Sequence, residues 1–112
     1  MVSKIDIKPL SVNQAWKGKR YKTKDYNDFE KKCLFLLPKL QIPKKGPYEV
    51  FYRFGFSSRN SDLANPEKLI SDILCKKYGI DDRYIEKMIL VKEIVEKGKE
   101  YFAFEIKTFE KE

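Results

Sequence analysis

Tyr48-Glu49-Val50-Phe51-Tyr52-Arg53-Phe54-Gly55-Phe56 is the stretch on which the fold of this chain turns. Its β-branched and aromatic content predicts a core strand over 48–56. Beyond it, Asn65-Pro66 supplies a helix start, with asparagine at the N-cap and proline at the first helical position. Leu69, Ile70, Ile73 and Leu74 then recur at helical spacing as far as about Tyr78, and Gly79 is placed to close the helix. Downstream, residues 87–96 and 101–107 read as strands, with Lys97-Gly98-Lys99 between them as a hairpin turn. Upstream, residues 3–7 alternate as a short opening strand, and Pro9 to Thr23 is basic and irregular. From Asp25 to about Leu40 the residues Tyr26, Phe29, Cys33, Leu36, Leu37 and Leu40 fall on one helical face, with Pro38 ending or kinking that helix near Leu37. Residues 42–47 are a Pro/Gly turn. The order βαβαββ predicts an α+β fold, a small mixed sheet with two helices packed on one face.

The 112 residues suit one domain spanning 1–112. Lys and Arg outnumber Asp and Glu 24 to 17, a formal charge of +7, which points to a polyanionic partner such as nucleic acid. A plainer account is lysine-rich composition, since arginine occurs only at Arg20, Arg53, Arg59 and Arg83. Cys33 and Cys75 lack metal-ligand spacing and sit on apolar helical stripes, so reduced core thiols are expected. There is no histidine, which removes Ser-His and Cys-His nucleophiles and histidine zinc sites. Any catalysis is expected to run on carboxylates and lysines, with or without a metal. No run reads as a membrane span and no charged-then-apolar leader opens the chain, so a cytoplasmic protein without a membrane partner is expected.

A polar constellation surrounds the second helix. Asp62 lies on the loop before it, Lys68 in its first turn, and Asp81-Asp82 just past its end. A helix N-terminus favours anions. In a phosphodiester hydrolase, carboxylates would hold Mg²⁺ and a lysine would steady charge on the phosphate. The structural alternative is that Asp62 caps a turn, Lys68 pairs with Asp72, and Asp81-Asp82 is a solvated loop.

The chain resembles the RusA-type Holliday-junction resolvases, small dimeric endonucleases common in phages and prophages, over nearly its whole length. Pro9-Leu10-Ser11-Val12-Asn13 is similar to that family's Pro-x-Ser-x-Asn signature, and a basic-aromatic stretch follows. More specific is the family pattern Asp-x-Asp-Asn-x-x-Lys, then Asp, then Asp-Asp. Here it reads Asp62-Leu63-Ala64-Asn65-Pro66-Glu67-Lys68, then Asp72, then Asp81-Asp82. The resemblance implies a Mg²⁺- or Mn²⁺-dependent endonuclease that resolves four-way DNA junctions by paired incisions. It makes Asp62 and Asp82 metal-binding catalytic carboxylates, Lys68 the essential lysine and Asp81 an auxiliary. It also implies a homodimer working in a bacterial host cell. One position departs: Ala64 stands where the family carries its second metal-site aspartate, and a methyl group cannot ligate Mg²⁺. A single gap in an otherwise complete set reads as inactivation rather than gradual drift.

DNA contact is expected from Asn13, Trp16, Lys17, Lys19, Arg20, Tyr21 and Lys22, where aromatics can stack on exposed bases while cations track phosphates. Arg59 and Asn65, beside the constellation, complete that set. Phe51, Phe54 and Phe56 suggest an RNA-stacking sheet less than a core, because no RNP-like run precedes them. Alternation sends Tyr101 and Ala103 to one face of the last strand and Phe102, Phe104 and Ile106 to the other, and one set is expected to pair with a second subunit. Two functions stay open: the impaired junction endonuclease that the resemblance implies, or a non-catalytic basic DNA- or RNA-binding module of the same fold.

Overall fold

The predicted core strand forms over Tyr48–Phe56 (β4) and is the axis of a mixed four-stranded sheet. The structure, a computed structural model, describes residues 1–11, 16–17 and 21–110, with 16–17 and 21–22 described through the backbone alone. Before β4 come β1 (Ser3–Ile5), β2 (Trp16–Lys17), β3 (Tyr21–Lys22) and helix α1 (Lys24–Leu36); after it come α2 (Glu67–Tyr78), a 3₁₀ turn (Asp82–Tyr84), β5 (Ile85–Ile94) and β6 (Tyr101–Thr108). The main sheet runs β1-β6-β4-β5, with β5 parallel to β4 and the other neighbours antiparallel. The architecture is α+β.

Strand alternation decides which side is core. Val50, Tyr52 and Phe54 lie opposite Ile106, Phe104 and Phe102, and Ile5 lies opposite Phe102, so all share one face. Phe29 and Cys33 of α1 and Ile70, Ile73 and Leu74 of α2 join the same cluster, so both helices cover that face. Tyr52, Phe54, Phe102 and Phe104 are fully buried there, each contributing roughly 1.5–3 kcal/mol relative to exposure. Both thiols are free. Cys33 is fully buried, and burial and then Glu30 push its thiol up to about 12.

The helix ends follow local chemistry. Thr23 Oγ1 accepts from the Tyr26 amide at 3.1 Å and caps α1. That helix stops at Leu36, short of Leu40, because the residue before Pro38 is driven into extended backbone. Gly79 takes φ 68°, letting the Ile80 amide reach the Cys75 carbonyl at 3.0 Å and close α2.

Four expectations are corrected. Lys97-Gly98-Lys99 is not a hairpin turn, because β4 lies between β5 and β6. The α2 crossover returns β5 parallel to one edge of β4, leaving the opposite edge for β6. The 9–23 segment is not wholly irregular: β2 and β3 form a small antiparallel ribbon pairing Trp16 with Lys22 and Lys17 with Tyr21. Asn65 is not the cap of α2. A run of turns leads into the helix, Pro66 takes the cap position, and no side chain makes a cap bond there. The opening strand ends at Ile5, where the Ile7 amide turns back to the Ile5 carbonyl at 2.9 Å.

The aromatic surplus of β6 divides as alternation requires. Phe102 and Phe104 belong to the helix-covered core. Tyr101 lies on the opposite, open face, only 3% exposed, with its ring over Gly55. Arg53 Nε donates to its hydroxyl at 2.8 Å, the hydroxyl donates to Glu93 at 2.9 Å, and Lys4 Nζ stands 4.6 Å from the ring centroid. Ile89 and Val91 remain 37% and 38% exposed on this face. Among the described residues no helix is long and apolar enough to cross a membrane.

Candidate functional site

The loop leaving β4 folds through short turns before α2 begins. The Ser61 amide donates to the Ser58 carbonyl at 3.2 Å, the Asn65 amide to the Asp62 carbonyl at 3.1 Å, and the Glu67 amide to the Ala64 carbonyl at 3.2 Å. Asp62 is exposed, and its Oδ1 accepts from the Ala64 amide at 3.2 Å. Its carboxylate therefore caps a turn while its second oxygen stays open to solvent.

Lys68 turns along α2 rather than back toward that loop. Its ammonium lies 3.3 Å from Asp72 Oδ1 and 3.7 Å from Asp82 Oδ2. The hydrogen bond and charge of Asp72, with a smaller push from Asp82, hold Lys68 above its ordinary value. The ammonium is thus a fixed cation at neutral pH and not a base. Cys75 sits half-buried against the same group; burial, then Asp82 and Asp72, push its thiol up to about 11.

Asp81 is directed elsewhere. It caps the 3₁₀ turn by accepting from the Arg83 amide at 3.0 Å, and its carboxylate takes the Arg83 guanidinium at 2.7–3.1 Å. Those contacts with Arg83 hold its carboxyl below the usual range. The structure therefore joins Lys68, Asp72 and Asp82, and leaves Asp62 and Asp81 outside that contact group.

The donor set does not fit a metal as it stands. Ala64 is exposed beside Asp62 and has no lone pair to offer. Among the described residues no three carboxylate or thiol side chains gather closely enough to share an ion.

Residues outside the expected set build the surroundings. Lys92 of β5 lies in the core-facing phase after Met88 and Leu90, yet its ammonium donates to the Arg59 carbonyl at 2.9 Å and the Ser61 carbonyl at 2.5 Å. It pins the loop that carries Arg59 and Asp62. A lysine on the apolar phase of a strand was the visible signal for it. A buried relay, from Tyr52 to Ser71 at 2.8 Å and from Ser71 to Glu67 at 2.7 Å, ties the first turn of α2 to β4. No local pattern announces it, because its members lie on different elements.

Of the residues expected to contact DNA, Asn13, Lys19 and Arg20 lie outside the described residues. Trp16, Lys17, Tyr21 and Lys22 lie on the β2–β3 ribbon. Arg59 is exposed on the pinned loop, and Asn65 is half-buried at the edge of a cleft beside Asp62. Phe54 and Phe56 are buried in the core, so they offer no stacking platform. No family model and no curated protein matches this chain.

Proposed function

We propose that this chain binds four-way DNA junctions and has the frame of a structure-specific endonuclease of the RusA type, with cutting disabled at position 64. The carrying observation is Lys68 held between Asp72 and Asp82 at one end of a helix whose entry loop carries Asp62. An exposed cation fixed beside two carboxylates is suited to steadying charge at a phosphodiester. The +7 charge supports a polyanionic partner held by counterion release. A dimer accompanies this reading, since a two-fold junction calls for two related sites. Its support is the exposed Ile89 and Val91 on the open sheet face. The chain works in the cytoplasm of a bacterial host on this account.

The Ala64→Asp variant tests the proposal. With Mg²⁺ or Mn²⁺ on a mobile synthetic junction it is expected to cut faster than the parent chain by on the order of a thousandfold, or about 4 kcal/mol of barrier. Both proteins are expected to bind that junction more tightly than a duplex of equal length. Tight junction binding without recovered cutting would favour a non-catalytic DNA-binding module. Loss of any junction preference would remove both readings.

A further inference from the structure

The chain between α1 and β4 borders a groove of about 920 Å³. Ligand sites span roughly 300–1,000 Å³, so this one has room for a short peptide rather than a single side chain. It lies at the start of β4, whereas the Asp62 loop follows the end of that strand, roughly 26 Å away at about 3.3 Å per residue. The bordering run, Lys39-Leu40-Gln41-Ile42, belongs to no helix or strand and is set between Pro38 and Pro43. A residue before proline is driven into extended backbone, and Leu37 shows it with φ −67° and ψ 130°. Both ends of the run are pinned. The Tyr78 hydroxyl donates to the Pro38 carbonyl at 2.7 Å, and the Tyr48 hydroxyl donates to the Pro43 carbonyl at 2.8 Å. Between those pins, no backbone amide or carbonyl of residues 39–42 has a hydrogen-bond partner among the described residues.

We propose that this groove binds a short acidic segment of a partner protein, laid in extended form along residues 39–42, with apolar side chains alternating with carboxylates. The inference does not depend on the junction reading. Three cations line the groove, Lys39, Lys44 and Lys77, and no carboxylate does. None of the three is in an ion pair among the described residues. Lys77 Nζ gives one hydrogen to the Leu34 carbonyl at 3.4 Å and keeps two. The acids nearby are already engaged. Asp81, which shares an adjoining hollow with Lys44, holds Arg83, and Glu30 is paired with Lys76 at 3.2 Å.

Leu40, Ile42, Pro43 and the Tyr78 ring give the groove an apolar floor. In an added strand, side chains alternate, so apolar ones meet that floor while the carboxylates between them stand at the rim with the lysines. The free amides and carbonyls of residues 39–42 supply the ladder for such a strand. A phosphodiester strand also meets the lysines, but it has no donor for those carbonyls and no side chain for the floor. A second copy of this chain, at +7, brings like charge to them.

The test titrates ¹⁵N-labelled protein with the capped peptide acetyl-Asp-Leu-Asp-Leu-Asp-Leu-amide. Amides of residues 39–42 are expected to shift saturably, with a Kd below about 1 mM, while those of 57–66 stay in place. The same peptide with lysine for aspartate is expected not to bind. Lys39→Glu with Lys77→Glu, both at exposed positions, is expected to weaken binding at least about fivefold with folding intact. A second measurement changes nothing in the protein. An added strand turns alternate amides toward its neighbour, so N-methylating either all the leucines or all the aspartates separates the two sets. One of these peptides is expected to bind at least about fivefold more weakly than the other, the worth of one net hydrogen bond. Shifts that miss residues 39–42, equal binding of the lysine peptide, or no difference between the methylated peptides overturns the proposal. A short DNA duplex that moves these amides when the acidic peptide does not would make the groove a phosphate track and overturn it as well. So would shifts of the same amides that follow protein concentration alone, which would assign the groove to a second copy.

Discussion

Tyr101 is polar, aromatic and almost fully buried on a sheet face that no helix covers. Four neighbours make this possible. Gly55 leaves space under the ring, Lys4 stands over it, and Arg53 and Glu93 satisfy its hydroxyl. A Cβ at position 55 would fall inside contact distance of ring atoms Cδ1 and Cε1. Gly55→Ala is therefore expected to destabilise the fold by about 1–3 kcal/mol, the usual cost of overpacking. Urea unfolding at equal protein concentration measures it, and an unchanged midpoint would mean that the ring does not lie over β4. Sequence alone fixed part of this picture. Period-two alternation separated Tyr101 from Phe102 and Phe104, but nothing local told that Tyr101 would lie over a glycine on a distant strand. The candidate site divides in the same way. Asp62, Lys68 and Asp82 were visible as a pattern, and so was the Lys68–Asp72 pair one helical turn apart. That Asp81 turns to Arg83 depends on the 3₁₀ turn and could not be read from adjacent aspartates.

Among the elements, β5 departs most from its reading. It runs from Ile85 to Ile94, two residues ahead of the predicted 87–96, and the turn signal after it describes only the local backbone. Which strand β5 pairs with is decided by the helix that precedes it, and that helix makes the pairing with β4 parallel. By contrast β4 and α2 were legible because their signals are internal: an aromatic and β-branched run, an apolar helical stripe, and a glycine at the left-handed cap. The loop joining β4 to α2 is irregular, and its order depends on a side chain from β5. Lys92→Met removes both hydrogen bonds to the Arg59 and Ser61 carbonyls while keeping the apolar stem. The expected result is a local loosening of about 1 kcal/mol, since partial exposure discounts the usual worth of a charged hydrogen bond. The Ser61 amide should then exchange with solvent roughly fivefold faster, while amides of β4 keep their protection. Unchanged exchange at Ser61 would show that the turns hold the loop by themselves, and that Lys92 is merely a solvated edge charge.

At the scale of the molecule the two faces of the sheet have different fates. Both helices and the aromatic residues of β4 and β6 close one face. The other is covered only in part, by charged side chains of the chain itself. Towards β1 and β6 the Lys4, Arg53 and Tyr101 contacts close it, and Glu49 is paired with Lys87 and Lys107. Towards the β5 edge, Ile89 and Val91 stay open beside the half-buried Phe51. An apolar strip bordered by both signs of charge is self-complementary under a two-fold rotation, as an isologous contact requires. The proposed dimer is placed on this strip for that reason, with the Phe102 and Phe104 set excluded because it already fills the core. Light scattering at micromolar concentration is expected to give twice the monomer mass of 13.3 kDa. Ile89→Lys with Val91→Glu is expected to return the monomer with folding intact, since both side chains are exposed and lie away from the helix-covered core. The same double variant should keep binding a single duplex arm and lose its preference for a four-way junction, because each half would carry only one site. A double variant that remains dimeric would move the interface off this face. A parent chain that is monomeric with and without junction DNA would remove the paired-site account itself.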